Sequence, residues 1–180
     1  MSSEDRYRLL VEEIAAEFPG FAILDKRASL LQRSIDVVLR CITFGGQSGY
    51  LTRYVTTIGQ RVYVPGDWLT RDPDDRWLTL RHERVHLRQF RRWTLPLMGL
   101  AYLLFPLPLG LAWARMVWER EAYEETIRAA AGLYGTAHVC NAAFRGWIVE
   151  QFTGPAYGWM WPFRSAVERW YDGVLASLPA

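Results

Sequence analysis

Arg81-His82-Glu83-Arg84-Val85-His86 sets two histidines four residues apart, with a glutamate directly after the first. On a helix, residues four apart lie one above the other on one face. Both imidazoles can therefore reach a single metal ion, with Glu83 at the edge of the same face. Two His nitrogens and one carboxylate suit zinc and keep a position open for water, whose pKa the metal lowers. Glu83 is placed to take a proton from that water and later to return it to a leaving group. The remaining sequence has to supply the third ligand and a frame.

The bounds are simple. A chain of 180 residues suits one domain with a sizeable core, so residues 1–180 are expected to form a single unit. A net charge of +2 is near neutral and argues neither for a nucleic-acid binder nor for a disordered tail, so no nucleic-acid partner is expected. The basic side chains are almost all arginine, and Lys26 is the only lysine. Nine Trp, nine Tyr and eight Phe predict aromatic walls around a core or groove. Cys41 and Cys140, in apolar surroundings, read as buried free thiols. The chain opens polar and acidic where a secretory signal would be basic and then apolar, so a cytoplasmic location is expected.

Upstream of the motif, Ser2 or Ser3 caps a helix carrying Leu9, Leu10, Ile14 and Phe18, ended by Pro19-Gly20. A second helix is predicted from about Lys26 to Phe44, with Leu30, Leu31, Ile35, Val38, Leu39 and Ile42 on its apolar side. Tyr50 to Ile58 and Gln60 to Val64 are rich in β-branched and aromatic residues, with Gly59 between them, and predict a β-hairpin. An exposed strand edge there can pair with an extended peptide, or the hairpin can merely cover the core. The motif helix is predicted over about 74–93. One face carries His82, His86, Gln89 and Trp93, and Gln89 could orient a ligand or substrate. Arg81, Arg84, Arg88, Arg91 and Arg92 form a stripe that reads as a solvated face ahead of a phosphate or membrane contact.

The 22 residues 93–114 carry no charged side chain and are long enough to cross a bilayer. Pro96, Pro106 and Pro108 oppose a straight span. A third ligand beyond the segment would lie across the membrane from His82 and His86 if it crossed once. A buried hairpin is favoured, and peripheral membrane contact through 93–114 is the minority reading.

Past that segment, Val117 to Arg128 is amphipathic, and Glu119-Arg120-Glu121-Ala122-Tyr123 lies within it. With the motif helix, this resembles the gluzincin branch of the zincin metallopeptidases, in which a second helix supplies a Glu ligand in a Glu-x-x-x-Asp pattern, often with Ala before the Asp. The resemblance covers about residues 74–128. It implies a zincin-like α+β fold, predominantly helical, with a small hairpin ahead of the metal-binding helix. It also implies bound zinc, with Glu119 as third ligand beside His82 and His86. Tyr123 stands where the family has Asp, the residue that fixes a ligating His; Tyr123 could do so as a neutral acceptor or through water, or could instead polarise the substrate carbonyl. Glu121 is the rival ligand, because Glu125 follows it by four residues.

His138, in Gly135-Thr-Ala-His-Val-Cys140, reads as a capping or core histidine ahead of a helix over about 137–152. Residues 153–162 form an aromatic loop in which Tyr157, Trp159 and Trp161 could wall a substrate pocket or clamp the core, and a last helix runs from about Phe163 to Leu178. The expected activity is zinc-dependent hydrolysis of a peptide or protein substrate with Glu83 as general base. A catalytically silent metal-binding protein and a membrane-associated accessory protein remain the alternatives.

Overall fold

The computed structural model describes residues 1–42, 45, 49–92, 113–154 and 160–179. It is predominantly helical with one small sheet, as an α+β reading requires. The chain divides into two compact units, Met1–Arg92 and Trp93–Ala180.

The first unit begins with α1 (Ser3–Glu17). The side chain of Ser2 caps it by accepting from the Asp5 N–H. Tyr7, Leu10, Ile14 and Phe18 recur every three or four residues and form one buried stripe, whereas Leu9 faces solvent. β1 (Ala22–Asp25) follows, a strand too short to stand out in the sequence. A 3-10 turn at Lys26–Ala28 leads into α2 (Leu30–Ile42), so the helix expected from Lys26 starts four residues later. Tyr50–Arg53, expected as strand, is instead a single helical turn, α3.

The hairpin is shorter than expected. β2 (Thr56–Ile58) pairs antiparallel with β3 (Arg61–Val64) across Gly59-Gln60. Gly59 sits at φ 63°, a conformation that a tight two-residue turn needs and glycine adopts at little cost. β1 pairs parallel with β3, giving the order β1-β3-β2 and leaving β2 on an edge. Val62 and Val64 of β3 point into the same core as the α1 stripe, Trp68, and Leu80 and Leu87 of the next helix.

That helix, α4 (Pro73–Arg92), carries the motif. Asp72 Oδ1 accepts from the Asp74 and Asp75 N–H groups, and Pro73 takes the first helical position, where a missing N–H costs nothing. The arginine stripe is solvated at Arg91 and Arg92, as expected, but ion-paired at Arg84 and Arg88. Arg84 donates to Glu13 and Glu17, Arg88 donates to both oxygens of Glu17, and Arg76 reaches Glu4. These pairs form a seam between α1 and α4 over the shared apolar stripe. The Arg88 and Arg84 guanidiniums hold the Glu17 carboxyl at about 2.

α2 runs against expectation. Among the described residues its buried side chains are polar, Gln32 and Asp36, while Leu30, Leu31 and Val38 of the anticipated core face are exposed. Tyr50 OH donates to Gln32 Oε1 at 2.6 Å and Arg40 Nε to Asp36 Oδ2 at 2.7 Å.

The second unit consists of α5 (Trp113–Tyr134), α6 (Thr136–Cys140), α7 (Ala142–Thr153) and α8 (Arg164–Ala176). Gly135, at φ 86°, breaks α5 from α6, and Asn141 caps α7, so the helix expected over 137–152 is two pieces. Ile148, Val149 and Phe152 of α7 and Val167, Tyr171 and Val174 of α8 are buried, and Tyr171 OH donates to the Val139 carbonyl at 2.6 Å. Both cysteines are free, as expected, but exposed: Cys41 lies in the last turn of α2 and Cys140 ends α6. No helix among the described residues is long and apolar enough to cross a membrane. The expected hairpin at 93–114 lies almost wholly outside the described residues.

The Glu17 seam sets an acid limit. A carboxyl whose pKa falls on folding stabilises the fold above its unfolded value near 4.5, and that contribution is lost as pH falls toward 2. Glu17→Gln should cost about 2 kcal/mol at pH 7 and show a flatter decline than wild type between about pH 5 and 2, measured by urea unfolding at each pH.

Candidate metal centre

The helical register of α4 brings the two histidines together. His82 Nε2 and His86 Nε2 lie 3.2 Å apart, with ring centroids 5.0 Å apart. Two nitrogens each ~2.0–2.1 Å from one tetrahedral zinc are separated by about 3.3 Å, so this spacing fits a shared ion. A hydrogen bond with a proton on one Nε2 accounts for the same distance without metal.

The tautomer of His86 favours ligation. Gln89 Oε1 lies 2.9 Å from His86 Nδ1. An amide oxygen only accepts, so the His86 tautomer that uses this contact is the one protonated at Nδ1, which keeps the Nε2 lone pair for a metal. Gln89, one turn along the same helix, meets the second nitrogen of His86, the position from which its place on the His82–His86 face was expected to orient a ligand.

Glu83 is buried, 5% exposed, and its Oε2 accepts from Thr57 Oγ1 at 2.6 Å. Thr57 belongs to the edge strand β2, so one short hydrogen bond fastens the hairpin to the motif helix beside the histidines. Thr57 was not anticipated, since nothing local distinguishes it from Thr52 or Thr56. Lys26 was not anticipated either, though its being the sole lysine was a signal. Its side chain is fully buried, donates to the Tyr50 carbonyl at 3.0 Å and lies 3.7 Å from the centroid of the Tyr50 ring. Burial pulls the ammonium down to about 7, against the opposing charges of Glu83 and Asp36. Burial also pushes the Tyr50 hydroxyl up.

On α5, Glu119 is 2% exposed while Glu121 is exposed. Among the described residues, the His, Cys, Asp and Glu side chains that could hold a metal as a group are His82, His86 and Glu119. Glu121 is not in that group, and Glu124 pairs with Arg128 at 2.8 Å one helical turn on. Tyr123 is buried, with its ring against Phe152 at 5.3 Å and Trp147 at 6.2 Å. His138 is exposed between the rings of Tyr134 and Phe144, at 4.8 and 5.0 Å, because α6 is a short surface helix whose only buried side chain is Val139. It is thus a surface histidine and not a core one. Tyr157 and Trp159 lie outside the described residues; Trp161 is half-buried, with the Arg120 guanidinium 5.5 Å from its ring centroid. No protein-family model, curated protein or solved structure matches the chain.

Lys26 gives this polar cluster a pH signature. The unfolded chain holds the lysine proton up to about 10.5 and the folded chain only to about 7. Folding therefore releases a proton between those values, and stability rises with pH across that window. The groups facing the ammonium are Glu83, Asp36 and Tyr50. Lys26→Met should remove up to ~1.4 kcal/mol per pH unit from the slope between about pH 7 and 9.5. Paired urea titrations of wild type and variant give that difference directly.

Proposed function

We propose that the protein is a zinc-dependent metallopeptidase of the zincin type, gluzincin-like in its ligands. The observation that carries this is the pairing of His82 and His86 on α4, with their Nε2 atoms 3.2 Å apart and Gln89 beside the second nitrogen of His86; buried Glu119 is the carboxylate assigned to complete the set. His82 and His86 would hold the zinc through Nε2 and Glu119 through its carboxylate. When bound, zinc polarises a carbonyl and acidifies water.

The rest is work for the chain's own groups. Thr57 engages Oε2 of Glu83, which leaves Oε1 to take a proton from the attacking water and deliver it to the leaving amine. Tyr123 is the hydroxyl assigned to the substrate carbonyl. A peptide substrate is favoured over other acyl compounds by the position of β2. It is an edge strand, and its central residue touches Glu83, so a peptide added to that edge would run past the general base. A cytoplasmic site of action belongs to the same proposal.

Metal analysis of the full chain after zinc loading and dialysis tests the reading. Wild type should retain about one zinc per chain, His82→Ala and Glu119→Gln should lose it, and Glu121→Gln should keep it. Glu83→Gln should keep the metal and lose about 10²–10⁴ in peptide hydrolysis. Zinc that cannot be rebound by wild type would sink the proposal; zinc without turnover would leave a silent metal-binding protein. Gln89→Leu should weaken zinc by about 10–100-fold, as loss of an orienting partner does, measured by competition with a chelator. An affinity unchanged by that substitution would remove Gln89 from the site.

A further inference from the structure

α2 is amphipathic with its polarity reversed. Leu30, Leu31, Val37 and Val38 are 76%, 51%, 59% and 47% exposed, whereas Gln32 and Asp36 are buried. Leu30 and Val37 are seven residues apart, as are Leu31 and Val38, so the four form one stripe along two turns. Arg33 and Arg40, also seven apart, follow one flank of it, and Arg33 shares a shallow groove with Leu30, Ser34, Val37 and Val38. Between Lys26 and Ile42 the only carboxylate, Asp36, is buried against Arg40, so every exposed charge there is positive.

We propose that α2 lies on an anionic lipid surface, with the aliphatic stripe in the acyl boundary and Arg33 and Arg40 at the headgroups. An apolar helical face bordered by arginine is what an interfacial helix presents. Arginines near a membrane are drawn to phosphate and carboxylate headgroups, and their stems add to the apolar contact. A second copy fits the face less well. Two heptads are shorter than the three or four a coiled coil requires, and four aliphatic side chains cover less than the ~800 Å² per partner of a standard interface. Like-charged arginine flanks would also meet across a symmetric pair. This contact is separate from the metal centre, so its test does not depend on the proposed function.

Co-sedimentation of the full chain with extruded vesicles decides it. Vesicles of phosphatidylcholine with about one third phosphatidylglycerol should bind roughly tenfold more protein than phosphatidylcholine alone, and salt should weaken the binding. Leu30→Ser with Val37→Ser should reduce binding about tenfold on anionic vesicles. Arg33→Glu should reduce it at least about fivefold and remove the preference for anionic lipid. These side chains are exposed, so helical circular dichroism should be unchanged in both variants, which separates lost contact from lost fold. Absence of wild-type binding overturns the proposal, as does binding that both variants retain, which would put the contact elsewhere in the chain. Concentration-dependent dimerisation of the wild type, abolished by Leu30→Ser with Val37→Ser and independent of lipid, would give the face to a second copy and overturn it as well.

Discussion

Burying the Glu83 carboxylate is the constraint around which the first unit is arranged. A desolvated carboxylate needs donors and positive charge close by, and helix α4 alone offers neither at that position. The Thr57 hydroxyl supplies a 2.6 Å hydrogen bond, which fixes where β2 lies against the helix. β2 is in turn held by β3, and β3 by β1, so the small sheet is positioned through that contact. Lys26, directly after β1, brings the compensating charge. The sole lysine of the chain thus sits where a compact, desolvated ammonium has carboxylates to face. Arginine, with five donors to satisfy, would be harder to bury there.

The same economy explains why α2 is inverted. A lysine and an aspartate inside the unit need polar neighbours, and Gln32 and Tyr50 furnish them, with Tyr50 giving its hydroxyl to Gln32 and its carbonyl to Lys26. Gln32 and Asp36 can face inward only if the opposite side of the helix, with Leu30, Val37 and Val38, faces outward. The exposed apolar stripe is the complement of a polar interior that serves the motif helix.

What the sequence disclosed follows the range of the forces involved. The extent of α4 and the shared face of His82 and His86 depend on neighbours within a few residues, and both were legible. So was the hairpin at Gly59, because a tight turn is a local requirement. β1 was not, since a four-residue strand takes its identity from β3, some forty residues away. Amphipathicity of α2 was plain, but which side faces inward depends on Lys26 and Tyr50, and periodicity carries no sign. The choice of Glu119 over Glu121 was open in sequence for a similar reason. Two carboxylates two residues apart point about 200° away from each other, and only burial tells which of them points inward.

Gln89 has a chemical consequence that its position on the helix did not reveal. A carboxylate behind a histidine adds negative charge to the ligand set and makes the imidazole a stronger donor. The Gln89 amide fixes the same tautomer while remaining neutral. In the proposed centre, two neutral imidazoles and one carboxylate would then leave a divalent ion with one net positive charge. A less fully neutralised ion is the stronger Lewis acid. The cost is affinity, because a neutral orienting group holds the ligand less firmly than a charged one, and weaker second-nitrogen support makes zinc easier to lose. In the proposed centre, burial of Glu119 and His86 would offset part of that loss by screening them from the water that competes for the ion. If the proposed centre binds zinc, it would favour reactivity of the metal over permanence of its binding.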